Sequence, residues 1–324
     1  MPPLRFDRFM DRALHDPENG YYARRITGVG RRGDFTTAPT LSEVTGRAVA
    51  GWAAAALKEC GTRHLIEIGP GEGKLSAAVL KHLPWLSRLR LKLHLVETSG
   101  PLAAIQREAL GGRAEWHRTP AEALAACGGN AVIFSNELVD AFPVRRFQKT
   151  HEGWYEVGVQ MNPLEEVLLD PGPLPSSTSF AIPHPVNQRI EVHESYQQWL
   201  AEWLPLWKSG RMLTIDYGST ADRIYHRRPN GTLRSYLFQQ RSEGLSIYDH
   251  PGRQDITADV NFTDLIEWSG NWAASNELKS FGEFIGPYLD PKNPADRYLA
   301  DEEGPGAAFL VLDQRRMGIG VRPS

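Results

Sequence analysis

Three glycines at alternate positions, Gly69, Gly71 and Gly73, follow an apolar run, Leu65 to Ile68, that carries one acid, Glu67. With Pro70 between the first two, this stretch reads as a strand, a tight turn and the start of a helix expected over Ser76 to His82. Alternate glycines let the backbone turn sharply and let a ligand approach without meeting a Cβ, and the helix start behind them offers free N–H groups. An ordinary strand-to-helix turn often holds one glycine; three in register with an acid on the strand point to a nucleotide-like ligand. The dinucleotide fingerprint is excluded by position, because its last glycine would fall on Lys74 counting from Gly69, or on Ser76 counting from Gly71. A phosphate loop is excluded too, since Leu75 follows Lys74 and Ile68 stands where that loop needs its first glycine. A second acid, Glu97, ends the alternating run Arg90 to Val96, 24 residues after Gly73 (97 − 73). A carboxylate at such a strand end can accept both hydrogen bonds of a ribose diol. A third polar group follows the apolar run Ala131 to Phe134, where Asn136, Glu137 and Asp140 come in quick succession. If a helix begins near Asn136, Glu137 and Asp140 share a face. Acids at a helix start also satisfy the helix dipole, so a structural reading stands beside the functional one.

The elements that must hold these groups belong to an ordinary globular chain. Its 324 residues suggest two domains, or one large α/β core with an insertion, and 41% hydrophobic with 23% charged residues fits that class. A net charge of −3 argues against a broad nucleic-acid surface. Cys60 and Cys127 show no C-x-x-C pairing and the histidines no ligand spacing, which reads as a reducing compartment without a metal site. Met1 to Gly20 has no uninterrupted apolar core, and no stretch approaches the roughly 18 apolar residues of a membrane span, so the expected location is cytoplasmic. Along the chain, Phe6, Phe9, Met10, Ala13 and Leu14 predict a packing helix that stops at Asp16-Pro17. A polar loop over 33–39, with Asp34, Thr36 and Thr37, precedes an Ala-rich helix from Ser42, its N-cap, to Cys60. A hairpin is expected over Arg145–Gln148 and Trp154–Val159, and the stretch to Pro185 reads equally as a substrate cap or a structural flap. A helix over Asn187–Lys208 carries Trp199 and Trp203 on a core face, and a strand over Arg211–Tyr217 brings Asp216 and Tyr217 to its end. Arg227 to Asp259 reads as a long ordered excursion whose Arg234, Asp255 and Thr257 are either substrate contacts or surface polarity. A helix over Asn261–Ser269, a closing strand over Ala307–Gln314 and a loose tail complete the chain.

The pattern Glu-x-Gly-x-Gly-x-Gly at 67–73 resembles motif I of the S-adenosylmethionine-dependent methyltransferases. Longer motifs narrow the likeness. Phe6-x-x-Phe-Met with Asp16-Pro17 and Gly20-Tyr-Tyr, Gly-Asp-Phe-Thr-Thr-Ala-Pro at 33–39, Asn136-Glu-Leu-Val-Asp-Ala-Phe-Pro-Val, Ile215-Asp-Tyr-Gly, Thr232-Leu-Arg-Ser-Tyr and Asp255-Ile-Thr-Ala-Asp-Val-Asn-Phe are similar to the MidA-like family. That family includes a mitochondrial complex I assembly factor that methylates a protein arginine. The chain departs from it at Thr40, at Leu237 and over 279–285, which leaves the cofactor half intact.

The resemblance implies a Rossmann-like α/β sheet with helices on both faces. The core would span 61–144 and 186–316 with an excursion at about 219–260, an inserted cap would span 145–185, residues 1–60 would form a helical extension and 317–324 a tail. It implies S-adenosylmethionine as cofactor and a protein partner as substrate, with no metal. Glu67, Gly69, Pro70, Gly71 and Gly73 would receive its methionine end, Glu97 and Thr98 its ribose, and the loop with Asp34, Thr36 and Thr37 would close over it. Asp216, Tyr217, Arg234, Asp255 and Thr257 would meet the substrate. Methyl transfer from a sulfonium is an in-line displacement, so the protein must align nucleophile and methyl carbon. Carboxylates at Glu137, and secondarily Asp140, next to Asn136, would bind a guanidinium bidentately and accept its proton. A small-molecule methyltransferase and a non-catalytic cofactor-binding assembly factor are the alternatives. The sequence leaves oligomeric state open.

Overall fold

Central strands of a parallel sheet are buried on both faces and must be apolar almost throughout. His-Leu-Ile-Glu-Ile, Lys-Leu-His-Leu-Val and Val-Ile-Phe-Ser-Asn meet that demand and form the middle of the protein. The computed structural model describes residues 2–24, 43–237, 240–242, 244–301 and 303–316. Its strands are β1 (Leu4–Arg5), β2 (His64–Ile68), β3 (Lys92–Val96), β4 (Ala114–His117), β5 (Val132–Asn136), β6 (Arg145–Lys149), β7 (Trp154–Met161), β8 (Leu164–Leu169), β9 (Arg189–Val192), β10 (Gly210–Ser219), β11 (Arg234–Leu237), β12 (Gln240–Ser242), β13 (Asp255–Thr257), β14 (Val260–Asn261), β15 (Ser275–Ser280) and β16 (Phe309–Arg316).

The core sheet runs β4-β3-β2-β5-β10 in parallel, then β16 antiparallel to β10 and, at the edge, β15 antiparallel to β16, with β14 alongside the end of β10. The chain moves outward from β2 to β4 and returns to β5 on the other side of β2. Strand order reverses between β2 and β5, and at such a switch point the carboxyl ends of an open sheet part to leave a crevice. One face packs the helices Val44–Cys60 and Lys74–His82 through Val49, Ala53 and Val79 against Leu65, Phe134 and Leu213. The other face carries Ile66, Ile68 and Ile133 under Leu124 of the helix Pro120–Ala126 and Leu200 and Trp203 of the helix Glu194–Trp203.

The hairpin of β6 and β7 is present, but it belongs to a larger sheet. β9 pairs with β6, and β1 and β8 pair with β7. Two expectations are corrected here. The inserted unit does not end at 185, because β9 lies in it, and the helix expected from Asn187 starts only at Glu194. Arg189 and Glu191 sit in β9, where Glu191 lies 3.3 Å from Arg146 and Arg189 2.6 Å from Glu166; an extended strand lets alternate residues reach these partners. The N-terminal helix Phe6–His15 buries the five apolar residues expected of it, against this sheet and against Ile247, Tyr248 and Ile256. The excursion after β10 contains its own antiparallel sheet, β12-β11-β13. Ser42 as N-cap lies outside the described residues; the helix begins at Val44 after Glu43. The tail after Arg316 lies outside them too. Among the described residues no helix is long and apolar enough to cross a membrane.

Glu67 is buried in the last turn of β2, where the Ser76 hydroxyl and N–H donate to it across the glycine turn. Burial dominates those bonds and lifts its carboxyl from 4.5 to about 7. Between these values the folded protein holds a proton that the unfolded chain has released, so stability falls as pH rises from about 4.5 and is fully reduced above about 7. Urea denaturation of the ligand-free protein at acid and mildly alkaline pH tests this. Wild type is predicted to lose on the order of 3 kcal/mol relative to Glu67→Gln, which cannot titrate, and parallel pH curves for the two proteins would contradict it.

Candidate active site

The crevice at the switch point opens into a cavity of about 500 Å³. The carboxyl ends of three strands supply its floor: Gly69 to Glu72 after β2, Glu97 to Ser99 after β3, and Asn136 to Leu138 after β5. All three glycines of the turn have positive φ, 67°, 54° and 77° for Gly69, Gly71 and Gly73. Their roles differ. A Cβ at Gly69 would lie 2.7 Å from Leu138, whereas one at Gly71 would meet nothing within 4 Å and would stand in the open space of the cavity. Gly73 does not line the cavity; it caps the helix Lys74–His82 and faces Gln106. Its expected contact with a ligand is therefore corrected to a turn-forming role.

Gln106 joins two parts of the floor. Its Nε2 donates to the Gly71 carbonyl at 2.7 Å and to Glu97 Oε2 at 3.0 Å, while its Oε1 accepts from Trp116 Nε1. The other Glu97 oxygen accepts the Ser99 N–H at 2.7 Å. Burial raises the Glu97 carboxyl and these donors oppose the rise. Each carboxylate oxygen has two lone pairs, so the pair can still accept from a diol beside Thr98.

After β5 the structure departs from the expected helix. β5 ends at Asn136 and Glu137 takes φ 50°, a left-handed turn that ends the strand and starts no helix. Asp216, in the neighbouring β10, holds the turn from behind. Its Oδ2 accepts N–H groups of Leu138 at 3.1 Å, Val139 at 2.8 Å and Asp140 at 3.4 Å, and Oδ1 accepts that of Tyr217. Asp216 is wholly buried, and its bonds hold the backbone of residues 138–140 in place. Glu137 lines the cavity and accepts from Asn136 Nδ2 at 2.9 Å, while Asn136 Oδ1 is buried without a hydrogen-bond partner. Asp140 does not share Glu137's face. It is buried behind the turn, where burial and the charges of Asp216, Asp255 and Glu137 push its carboxyl well above the ordinary range and Arg234 pulls the other way.

The remaining expected substrate contacts lie on this far side. Asp255 accepts from the Tyr22 hydroxyl at 3.0 Å, and Thr257 pairs with Arg234 across β13 and β11. Arg234 forms an ion pair with Asp259 at 2.5 Å and lies over the Tyr217 ring, which packs on Phe309. Tyr217, Arg234, Tyr236 and Asp222 line a second hollow of about 640 Å³. After burial, the charge of Glu137 is the largest influence that raises the Tyr217 hydroxyl. Asp34, Thr36 and Thr37 lie outside the described residues. Four wall residues escaped the sequence reading: His15 stacked on Tyr22, Phe142, and Trp199 beside it, expected in the core. Gln106 escaped it as well; Tyr22 and Phe142 carried a signal only as parts of Gly20-Tyr21-Tyr22 and of the motif that starts at Asn136.

A family model described as "Putative S-adenosyl-L-methionine-dependent methyltransferase" matches residues 48–281. The chain is 26% identical over 302 residues to the mitochondrial protein arginine methyltransferase NDUFAF7 of Danio rerio, covering 83% of this chain and 69% of that protein. It is 27% identical over 309 residues to the human protein of that name, covering 84% and 67%. A crystal structure of a Burkholderia thailandensis protein bound to S-adenosyl-homocysteine superposes with a TM-score of 0.82 at 29% identity, covering 98% of this chain and 89% of that one. The expected cytoplasmic location is overturned by these relatives, whose named compartment is the mitochondrion; composition and the first 20 residues were no guide to it. S-adenosylmethionine fits the cavity's strand-end acid and the opening at Gly71. With a matched segment covering well over half of its length, the chain belongs to the S-adenosylmethionine-dependent methyltransferase family.

Proposed function

We propose that the protein transfers a methyl group to an arginine side chain of a protein partner, and that Glu137 orients the accepting nitrogen. The observation that carries this reading is Glu137 on the cavity wall with three buried acids, Asp140, Asp216 and Asp255, behind its turn. Burial and then the charges of Asp216, Asp255 and Glu137 raise the Asp140 carboxyl, and Arg234 opposes them. A guanidinium entering beside Glu137 would relieve that repulsion, and its planar fork suits a carboxylate. The named activity of the NDUFAF7 relatives agrees with such a substrate.

When bound, S-adenosylmethionine supplies an electrophilic methyl group on a sulfonium. The chain's own residues do the rest. Glu97 holds the ribose, the turn around Gly71 admits the methionine end, and Trp199 and Phe142 exclude water from the opposite wall. Glu137, fixed by Asn136 and by the backbone bond from its N–H to Ile215, accepts the guanidinium hydrogen bonds that turn one nitrogen toward the methyl group. As the nitrogen takes the methyl group, with the S–CH3 bond breaking to leave a neutral thioether, the proton lost by the guanidinium would pass to the Glu137 carboxylate.

Incubation with tritiated methyl donor and a hypomethylated protein extract should yield label as methylarginine after hydrolysis; label confined to lysine, carboxylates or small molecules would refute the acceptor. Glu137→Gln should lower kcat about 10²–10³-fold while the Kd for S-adenosyl-homocysteine stays within about twofold, and an unchanged kcat would remove Glu137 from the chemistry. Gly71→Arg should abolish calorimetric binding of S-adenosyl-homocysteine, because its side chain must enter the open space of the cavity. Retained binding would place the cofactor elsewhere.

A further inference from the structure

At the amino end of β2, away from the glycine turn, the fold gathers histidines that lie far apart in the chain. His64 of β2, His94 of β3 and His117 of β4 form a diagonal row across the sheet face covered by the helix Pro120–Ala126. Cys127 caps that helix. His64 Nδ1 lies 3.0 Å from His94 Nε2, and His94 Nδ1 lies 3.0 Å from His117 Nε2. His64, His94 and Cys127 offer three ligand atoms within 4.8 Å of one another. We propose that His64 Nδ1, His94 Nε2 and Cys127 Sγ bind one divalent transition-metal ion, with zinc the ion that best suits them.

Three features favour this assignment over a simple row of hydrogen-bonded imidazoles. Two nitrogens and a thiolate are a borderline-soft donor set that zinc accepts, and two nitrogen ligands at about 2.0 Å on a tetrahedral ion stand roughly 3.3 Å apart, close to the His64–His94 separation. His94 also has the outer partners that a ligating imidazole needs. With Nε2 on the metal, its Nδ1–H points to His117 Nε2 at 3.0 Å and toward Glu115 at 3.7 Å, the type of contact that fixes ring tautomer and raises ligand basicity. Finally, His64 and Cys127 line a cavity of about 840 Å³ that gives an ion a route in and leaves a fourth position for water. The alternative trio, His94, Glu115 and His117, has a more exposed carboxylate and lacks the thiol. Binding would displace the thiol proton of Cys127. The expectation of no metal site came from spacing along the chain. These ligands come from three separate elements, so no spacing could reveal them.

Cobalt(II) titrated into chelator-stripped full-length protein tests the site. The expected result is one ion per chain with the strong d–d bands of a tetrahedral site and a thiolate-to-cobalt charge-transfer band, both displaced by zinc. Cys127→Ser should lose the charge-transfer band, whereas Cys60→Ser, on the same cavity, should keep it. His117→Gln should keep both bands with affinity lowered about 10–100-fold. Calorimetric S-adenosyl-homocysteine binding verifies that each variant is folded. Absence of tetrahedral bands in the wild type, or a charge-transfer band that survives Cys127→Ser or vanishes in Cys60→Ser, would overturn the proposal.

Discussion

One buried carboxylate sets the geometry of the active site. Asp216, in β10, has no exposure and satisfies the N–H groups of residues 138–140 after β5. A turn that ends a strand in a left-handed residue leaves backbone donors pointing inward, and leaving such groups unpaired costs about 1–3 kcal/mol each. Asp216 absorbs them, and in doing so holds Glu137 at φ 50° over the crevice. The crevice itself exists because strand order reverses between β2 and β5, so the acid that positions and the acid that lines the cavity come from neighbouring strands of one parallel sheet.

The second sheet and the N-terminal helix finish the cavity from outside the core. Phe6, Phe9 and Met10 pin that helix against β6, β7 and β13, and the chain leaving it delivers His15 and Tyr22 to the wall. Tyr22 reaches Asp255 with its hydroxyl, and the Asp140 carbonyl accepts the Ala258 N–H. The small sheet β12-β11-β13 is thereby tied to the turn that carries Glu137. Arg145 and Arg146, both buried, pair with Glu156 and Glu166 to hold the second sheet together.

What the sequence made legible was local. Glycine spacing and the acid on β2 announced the turn, and alternation announced β3 with Glu97 at its end, because each signal lies within a dozen residues. Gln106 was invisible, since an amide on a helix gives no hint that it will reach both Gly71 and Glu97. Asp216 was seen as a strand-end acid but given to the substrate, and only the register of β10 beside β5 shows that it faces backbone. Asn187 to Val192 looked helical because Ile190 and the later apolar residues fit that period; pairing with β6, and the ion pairs of Arg189 and Glu191, outweighed it. Trp199 was assigned to the core because an aromatic at helical spacing does not declare that a cavity opens beside it.

The most direct test of this account is a crystal structure of the protein with S-adenosyl-homocysteine. The arrangement predicts the ribose hydroxyls on Glu97, the amino-acid end at the turn around Gly71, and the sulfur turned toward Glu137. A sulfur directed at the Trp199 wall, with Glu137 on the far side of the adenosine, would contradict it.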